Sequence, residues 1–327
     1  MLKKSMLIAS LAAALTLVTT TGKADDYPSR PITIIVPYSA GGGADVIARI
    51  VADALSNEFK ERVLVENVTG AGGTIGVRRV AHAAPDGYTL GTVSPGTHAA
   101  ASALYKNLGY DPLKDFEMAG LTGTTPIVLV TRKGIPAKTL KEFAEYLKAN
   151  EKKVTLAHVG PGSMTHLSCS MFDSIVGVNP TAAAYRGTPP LMQDLLGGRV
   201  DYTCQQPNGV IGLISKGEIN ALAVADDHRE ASLPNVPDAD EAGFPDLKAT
   251  AWNGFVMPKG TPDAIVNKFN KVLAKVLDDP AVVKRYAAIG VTVRPPEQRT
   301  REFQRKFMEE EYVRYTTLMK KIGIKPQ

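Results

Sequence analysis

The chain has 327 residues and carries 38 Lys and Arg against 33 Asp and Glu, a formal charge of +5. Three of those lysines fall in residues 1–24, which hold no acid, leaving only +2 on residues 25–327. No polybasic run with interleaved aromatics is present, which excludes nucleic acid as a partner, and the length suffices for two domains with separate cores.

Lys3 and Lys4 precede an apolar run at 6–18, and Gly22-Lys23-Ala24 puts small residues at both cleavage-recognition positions. That pattern predicts a secretory signal peptide, 1–24, cut after Ala24. The run is shorter than a typical membrane span and no later stretch qualifies. No cysteine follows the leader to carry a lipid anchor, so the expectation is an exported, soluble periplasmic chain. Cys169 and Cys204 are the two cysteines. In an oxidising compartment they either form a disulfide, contributing roughly 3–4 kcal/mol for a loop of that length, or stay as two buried thiols.

Strand and helix alternate along the chain. The β-branched run at 32–37 predicts a strand, followed by a helix over 44–60. A strand at 63–66 leads to Gly70-Ala71-Gly72-Gly73 and a helix from Thr74; a strand at 88–93 leads to Ser94-Pro95-Gly96-Thr97 and another helix. Tyr110-Asp111-Pro112 and Asp115-Phe116 read as turn and packing residues closing the first block. The pattern resumes with a strand at 127–130, a helix at 139–150, a strand at 154–158 and a helix after the glycines at 160 and 162. A strand at 181–184, a helix at 188–196, a strand at 200–204, a short helix at 208–215 and a strand at 219–224 complete the second block. A long ordered loop at 226–250 precedes a strand at 252–257 and helices at 262–278, 280–288 and 297–322. Two α/β blocks joined near 122–126 and again near 250 predict two lobes, 25–124 with 251–327 and 125–250, each a mainly parallel sheet flanked by helices. Ligands of such sheets bind at the carboxyl ends of the strands.

The candidate site residues gather at those ends. Tyr38, Ser39, Ala40, Gly41, Gly42 and Gly43 link a strand to a helix, where glycines let backbone N–H groups approach an anion at the helix N-terminus. A dinucleotide reading fails, because the third glycine of its fingerprint would fall at Val46. Asp45 is either a helix-start acid or a group facing the ligand. Ser94 and Thr97 either cap their helix or meet a ligand. Gly162, Ser163, Thr165 and His166 form the matching loop, where a helix N-terminus keeps His166 neutral. Tyr185-Arg186 ends a strand, and Arg186 either clamps a carboxylate or structures its own loop. Gln205 and Gln206 are neutral polar candidates, and Trp252 reads as hinge or core packing. His166 and Cys169 stand one turn apart, but no further ligands follow at metal spacing, so neither metal nor cofactor is expected. No nucleophile elbow, Walker loop or His-Glu-x-x-His is present, and catalysis finds no support.

Several motifs together resemble one family. They are Pro28-Ser29-Arg30-Pro31-Ile32, Val36-Pro37-Tyr38 with Gly41-Gly42-Gly43-Ala44-Asp45 and Ala48-Arg49, and Glu66-Asn67 with Gly70-Ala71-Gly72-Gly73-Thr74-Ile75-Gly76. Pro85-Asp86-Gly87-Tyr88-Thr89-Leu90, Tyr185-Arg186-Gly187 through Asp194-Leu195-Leu196-Gly197-Gly198, and Glu241-Ala242-Gly243 extend it over nearly all of residues 25–327. The chain resembles Bug-type periplasmic solute-binding receptors, which include the tripartite tricarboxylate transporter receptors. It departs from them at Ala40, where proline is common, and at Val68-Thr69, where Arg-Pro is common. The resemblance implies a Venus-flytrap fold and a monomer that closes on a small organic carboxylate. The first glycine loop and the loop at 160–166 would approach one carboxylate, partly through ordered waters. A membrane transporter would receive the ligand; an extracytoplasmic sensor for a two-component system is the alternative, and a secreted hydrolase using Ser163 or His166 a remoter one.

Overall fold

A computed structural model describes residues 27–321; the expected signal peptide at 1–24 lies outside the described residues. The first sheet begins with β1 (Ile32–Val36), α1 (Gly43–Phe59), β2 (Val63–Asn67), α2 (Thr74–Ala81) and β3 (Thr89–Val93). A π-helical turn at Pro95–Ala100 then runs into α3 (Ala101–Leu104). β1 pairs in parallel with both β2 and β3, as βαβ crossovers demand. Val, Ile and Leu fill these strands because helices cover both faces. Against β1 and β3, α1 buries Ile47, Val51 and Leu55 in one cluster with Phe269 and Leu273. Each such side chain contributes roughly 1.5–3 kcal/mol.

The next strand, β4 (Phe116–Pro126), occupies a stretch expected to hold turn and packing residues and the join between blocks. Its sequence, Phe-Glu-Met-Ala-Gly-Leu-Thr-Gly-Thr-Thr-Pro, has too few β-branched apolar residues to announce a strand. The glycines are there for space. A Cβ at Gly123 would lie 2.8 Å from the Thr292 carbonyl oxygen, and one at Gly120 would lie 2.7 Å from Asn270 Nδ2.

β5 (Val128–Arg132), α4 (Leu140–Asn150), β6 (Thr155–His158), α5 (Met164–Val176), β7 (Thr181–Ala184) and α6 (Thr188–Leu196) follow. β8 (Tyr202–Gln205), α7 (Pro207–Ser215) and β9 (Ile219–Val224) complete the second sheet, of order β7-β6-β8-β5-β9. The chain returns to the first sheet through β10 (Thr250–Pro258) and continues as α8 (Asp263–Asp278), α9 (Pro280–Ala287), β11 (Thr292–Val293) and α10 (Arg301–Lys321). The first sheet's order is β11-β4-β10-β3-β1-β2. β6, β7 and β8 are parallel, whereas β4, β5, β9, β10 and β11 enter through antiparallel pairings. The two-lobed α/β architecture therefore rests on mixed sheets rather than mainly parallel ones, because each crossing strand passes back alongside its neighbours.

The two crossings are tied together. Ile127 N–H donates to the Ala249 carbonyl at 3.2 Å, and Ala225 N–H donates to the Ile127 carbonyl at 2.7 Å. β4 and β10 then pair from Thr250↔Pro126 to Pro258↔Phe116, with two register shifts. Gln304 of α10, fully buried, accepts from Gly120 N–H and donates to the Phe255 carbonyl, using polar groups that the second irregularity would otherwise strand. Trp252 donates its indole N–H to Glu311 at 2.6 Å, which ties α10 to the crossing strand.

Cys169 on α5 and Cys204 on β8 are joined, with Cα atoms 5.5 Å apart and a sequence separation of 35. Reduction of this bond is expected to lower stability by about 3–4 kcal/mol. Urea unfolding with and without reductant measures the difference; superposable curves would show that the bond adds nothing.

Candidate functional site

The first glycine loop is built around a carboxylate that it hides. Gly41, with φ +77, turns the chain back so that its N–H donates to Asp45 Oδ2 at 2.9 Å. Arg49 Nε reaches the same oxygen at 2.9 Å, and Asn67 Nδ2 donates to Oδ1 at 2.8 Å and to the Tyr38 carbonyl at 2.9 Å. Asp45 is 2% exposed. Burial opposes its ionisation, but the hydrogen bonds from Arg49, Gly41 and Asn67 outweigh it and hold the carboxyl below its usual range. No side chain caps α1, whose N-cap is Gly42, so the first N–H groups of the helix remain available to an anion.

The opposing loop follows β6. Gly160 and Gly162 both have positive φ, at +113 and +78. Ser163 caps α5, accepting from His166 N–H at 3.3 Å, and its hydroxyl donates to the Gly160 carbonyl at 2.7 Å. Thr165 Oγ1 accepts from Val159 N–H at 2.9 Å. Two imidazoles hold the loop as acceptors: His158 Nδ1 from Gly160 N–H at 3.0 Å, and His166 Nδ1 from Gly162 N–H at 3.2 Å. Burial and then the neighbouring His158, 4.5 Å away between ring centroids, push His166 down to about 4. His166 is thus neutral at neutral pH, with burial rather than the helix dipole as the leading cause.

The loop at 160–162 meets two further turns of the first lobe backbone to backbone. A Cβ at Gly96 would lie 2.4 Å from the Gly162 carbonyl oxygen, and one at Gly72 would lie 2.3 Å from that of Pro161. Tyr105 donates its hydroxyl to the same Pro161 carbonyl at 3.0 Å. On the other flank, a Cβ at Gly187 would lie 2.0 Å from Ser39 Oγ, which donates to the Arg186 carbonyl at 2.7 Å. Asn208 Nδ2 donates to the Gly43 carbonyl at 3.2 Å.

Between these contacts lies a cavity of about 70 Å³. Of the residues expected at the site, Tyr38, Ser39, Gly42, Gly43, Ser94, Ser163, Thr165, Gln205 and Gln206 line it. The others do not. Asp45 is spent on the loop behind it; Ala40 and Gly41 are exposed on the outer side of the turn. Thr97 is fully buried, its hydroxyl bonded to Ser94 and to His98 Nδ1. Gly162 and His166 shape the opposite loop from behind. Tyr185 donates to Asp194 at 2.8 Å, and the Arg186 side chain is exposed while its carbonyl makes the contact to Ser39.

Sequence reasoning missed Thr188, Asn208 and Asn253, which also line the cavity. Asn253 had a signal: an amide inside an otherwise buried strand. Among the described residues no Asp, Glu, Lys, Arg or His lines the cavity, and Tyr38, whose hydroxyl burial pushes up to about 12, stays neutral there. Cys169 is held in its disulfide and offers no thiolate beside His166. Among the described residues no helix is long and apolar enough to cross a membrane.

Comparison with known proteins agrees with this geometry. The family model described as "Tripartite tricarboxylate transporter family receptor" matches residues 47–324. The structure of the periplasmic binding protein BugD superposes with a TM-score of 0.89 at 38% identity, covering 92% of this chain and all of that one. MatC from Rhodopseudomonas palustris, with bound malate, gives 0.86 at 38% identity, covering 89% of this chain and 99% of that one. A second R. palustris protein, Rpa4515 with adipate, gives 0.87 at 30% identity over 92% of this chain and all of that one. The family model is one of receptors, and BugD is a periplasmic binding protein. A match of this extent, over two α/β lobes with a small cavity between them, makes the chain a member of the tripartite tricarboxylate transporter receptor family, to which the Bug proteins belong.

Proposed function

We propose that this chain is a periplasmic receptor that captures a small organic carboxylate between its lobes and hands it to a tripartite tricarboxylate-type membrane transporter. The leader at 1–24 would export it, with cleavage near Ala24. The lobes are 25–124 with 251–327 and 125–250, hinged where Ile127, Ala225 and Ala249 bond one another. The observation that carries the reading is a cavity free of charged side chains, set between the uncapped N-terminus of α1 and the loop that opens α5. Such a cavity holds an anion through N–H and O–H donors alone. The malate and adipate of the two liganded relatives support a carboxylate.

In this reading the N–H groups that open α1, from Gly43 onward, meet one carboxylate, with the Ser94 and Tyr38 hydroxyls and the Gln206 amide beside it; Ser39 and Ser163, whose hydroxyl protons go to the Arg186 and Gly160 carbonyls, shape the cavity wall together with Thr165. Asp45, Gly41, Thr97, Gly162 and His166 act as positioning residues, holding the loops in shape. Lobe closure removes water from the site, which strengthens each of these hydrogen bonds and gives the transporter a closed shape to recognise.

Thermal unfolding of the chain from residue 25 across di- and tricarboxylates, amino acids and aromatic acids tests the proposal. At a hundredfold excess over Kd a true ligand stabilises by about 2.7 kcal/mol, a rise in Tm of several degrees. A flat response to every acid would sink the reading. Closure itself is tested at Gly96, whose backbone is not in the left-handed region. Gly96→Ala is expected to leave the unliganded fold intact by circular dichroism and to weaken binding by roughly tenfold or more, because the new methyl meets the Gly162 carbonyl only when the lobes close. Unchanged affinity would rule out this contact as part of the bound state.

A further inference from the structure

Two polar atoms in the cavity wall are buried with no partner among the described residues. Asn208, near the start of α7, donates Nδ2–H to the Gly43 carbonyl, which fixes the direction of its amide and leaves Oδ1 buried without a donor. Asn253 sits in β10 where the register shifts, is 6% exposed, and has its Nδ2 buried without an acceptor. A bulge of this kind re-aims a side chain. Their neighbour Gln205 shows the contrast: its amide is used at both ends, donating to Thr203 and accepting from Thr188. Buried polar groups are normally paired, so an acceptor and a donor left open in one cavity wall mark the places where a ligand's own groups complete the bonding.

We infer that Asn208 and Asn253 read a hydroxyl on the bound acid, so that the ligand is a hydroxycarboxylate. The inference rests on the reading of the cleft as a carboxylate site. An ionised carboxylate brings only acceptors, and it can satisfy Asn253 Nδ2 but not Asn208 Oδ1. Asn208 Oδ1 therefore calls for a donor on the ligand. An ammonium group would also donate, but its full charge would be buried in a cavity that no Asp or Glu lines. A hydroxyl supplies the same bond without a charge: it donates to Asn208 Oδ1, and its oxygen or the adjacent carboxylate accepts from Asn253 Nδ2. A site built around a hydroxyl rejects the analogue lacking it, because its own polar atoms are then left unpaired.

Calorimetric titration of the chain from residue 25 with matched acids tests this. The sets are malate, succinate and aspartate; 2-hydroxyglutarate, glutarate and glutamate; and citrate with tricarballylate. In the set of best-fitting length, the hydroxy acid is expected to bind at least about tenfold more tightly than either analogue. Asn208→Ala is expected to reduce that ratio to within about threefold. Loss of the bond to Gly43 weakens all the ligands alike, so the ratio is the readout. Asn253→Ala, run in parallel, is expected to shrink the ratio too and carries the comparison if the first variant does not fold. A deoxy or amino acid binding as tightly as the hydroxy acid, or a ratio that survives both substitutions, overturns the inference while leaving the carboxylate reading standing. Binding of none of these acids, with a flat thermal response to the wider panel, overturns both.

Discussion

The cleft depends on backbone meeting backbone across it. Gly96 lies against the Gly162 carbonyl and Gly72 against that of Pro161, where any side chain larger than hydrogen would hold the lobes apart. In the proposed closure this contact sets how far the lobes come together and hence how much water is left around a ligand. Once the cavity is small and dry, neutral hydrogen-bond donors suffice to hold an anion. The glycines that look like an anion cradle therefore do two jobs. Those at 42 and 43 line the cavity, and those at 72 and 96 let it shut.

Charge is kept out of the cavity and used behind it. Asp45, Arg49 and Asn67 form a closed network whose purpose is the shape of the loop at 38–43. In the other lobe the neutral imidazoles of His158 and His166 do the same for the loop at 160–162. Both loops are thus held in shape by their own hydrogen bonds, and in the proposed capture their ordering cost falls on folding rather than on binding. The joined crossings at Ile127, Ala225 and Ala249 link the two lobes, and β4 and β10 pair along their length in the first.

Much of this was legible in the sequence where local chemistry decides structure. β1, β2 and β3 announce themselves through Val and Ile, α1 through its apolar spacing, and the two ligand-facing loops through glycines between strand and helix. β4 did not, because its glycines answer to neighbours far along the chain, Thr292 and Asn270 among them. Asp45 and Arg186 illustrate the same limit at the site. Their residue types suit ligand contact, but Arg49 and Asn67 consume the first, and the second contributes its carbonyl rather than its guanidinium. Asn253 was hidden in the opposite way, inside a strand that reads as core.

The central claim is that the lobes close on a small acid through contacts made mainly by backbone. Small-angle X-ray scattering of the chain from residue 25, recorded with and without a saturating carboxylate whose binding calorimetry has established, tests it most directly. The expected result is a smaller radius of gyration on binding, with the contraction reduced in Gly96→Ala. An identical radius in the free and saturated protein would contradict closure.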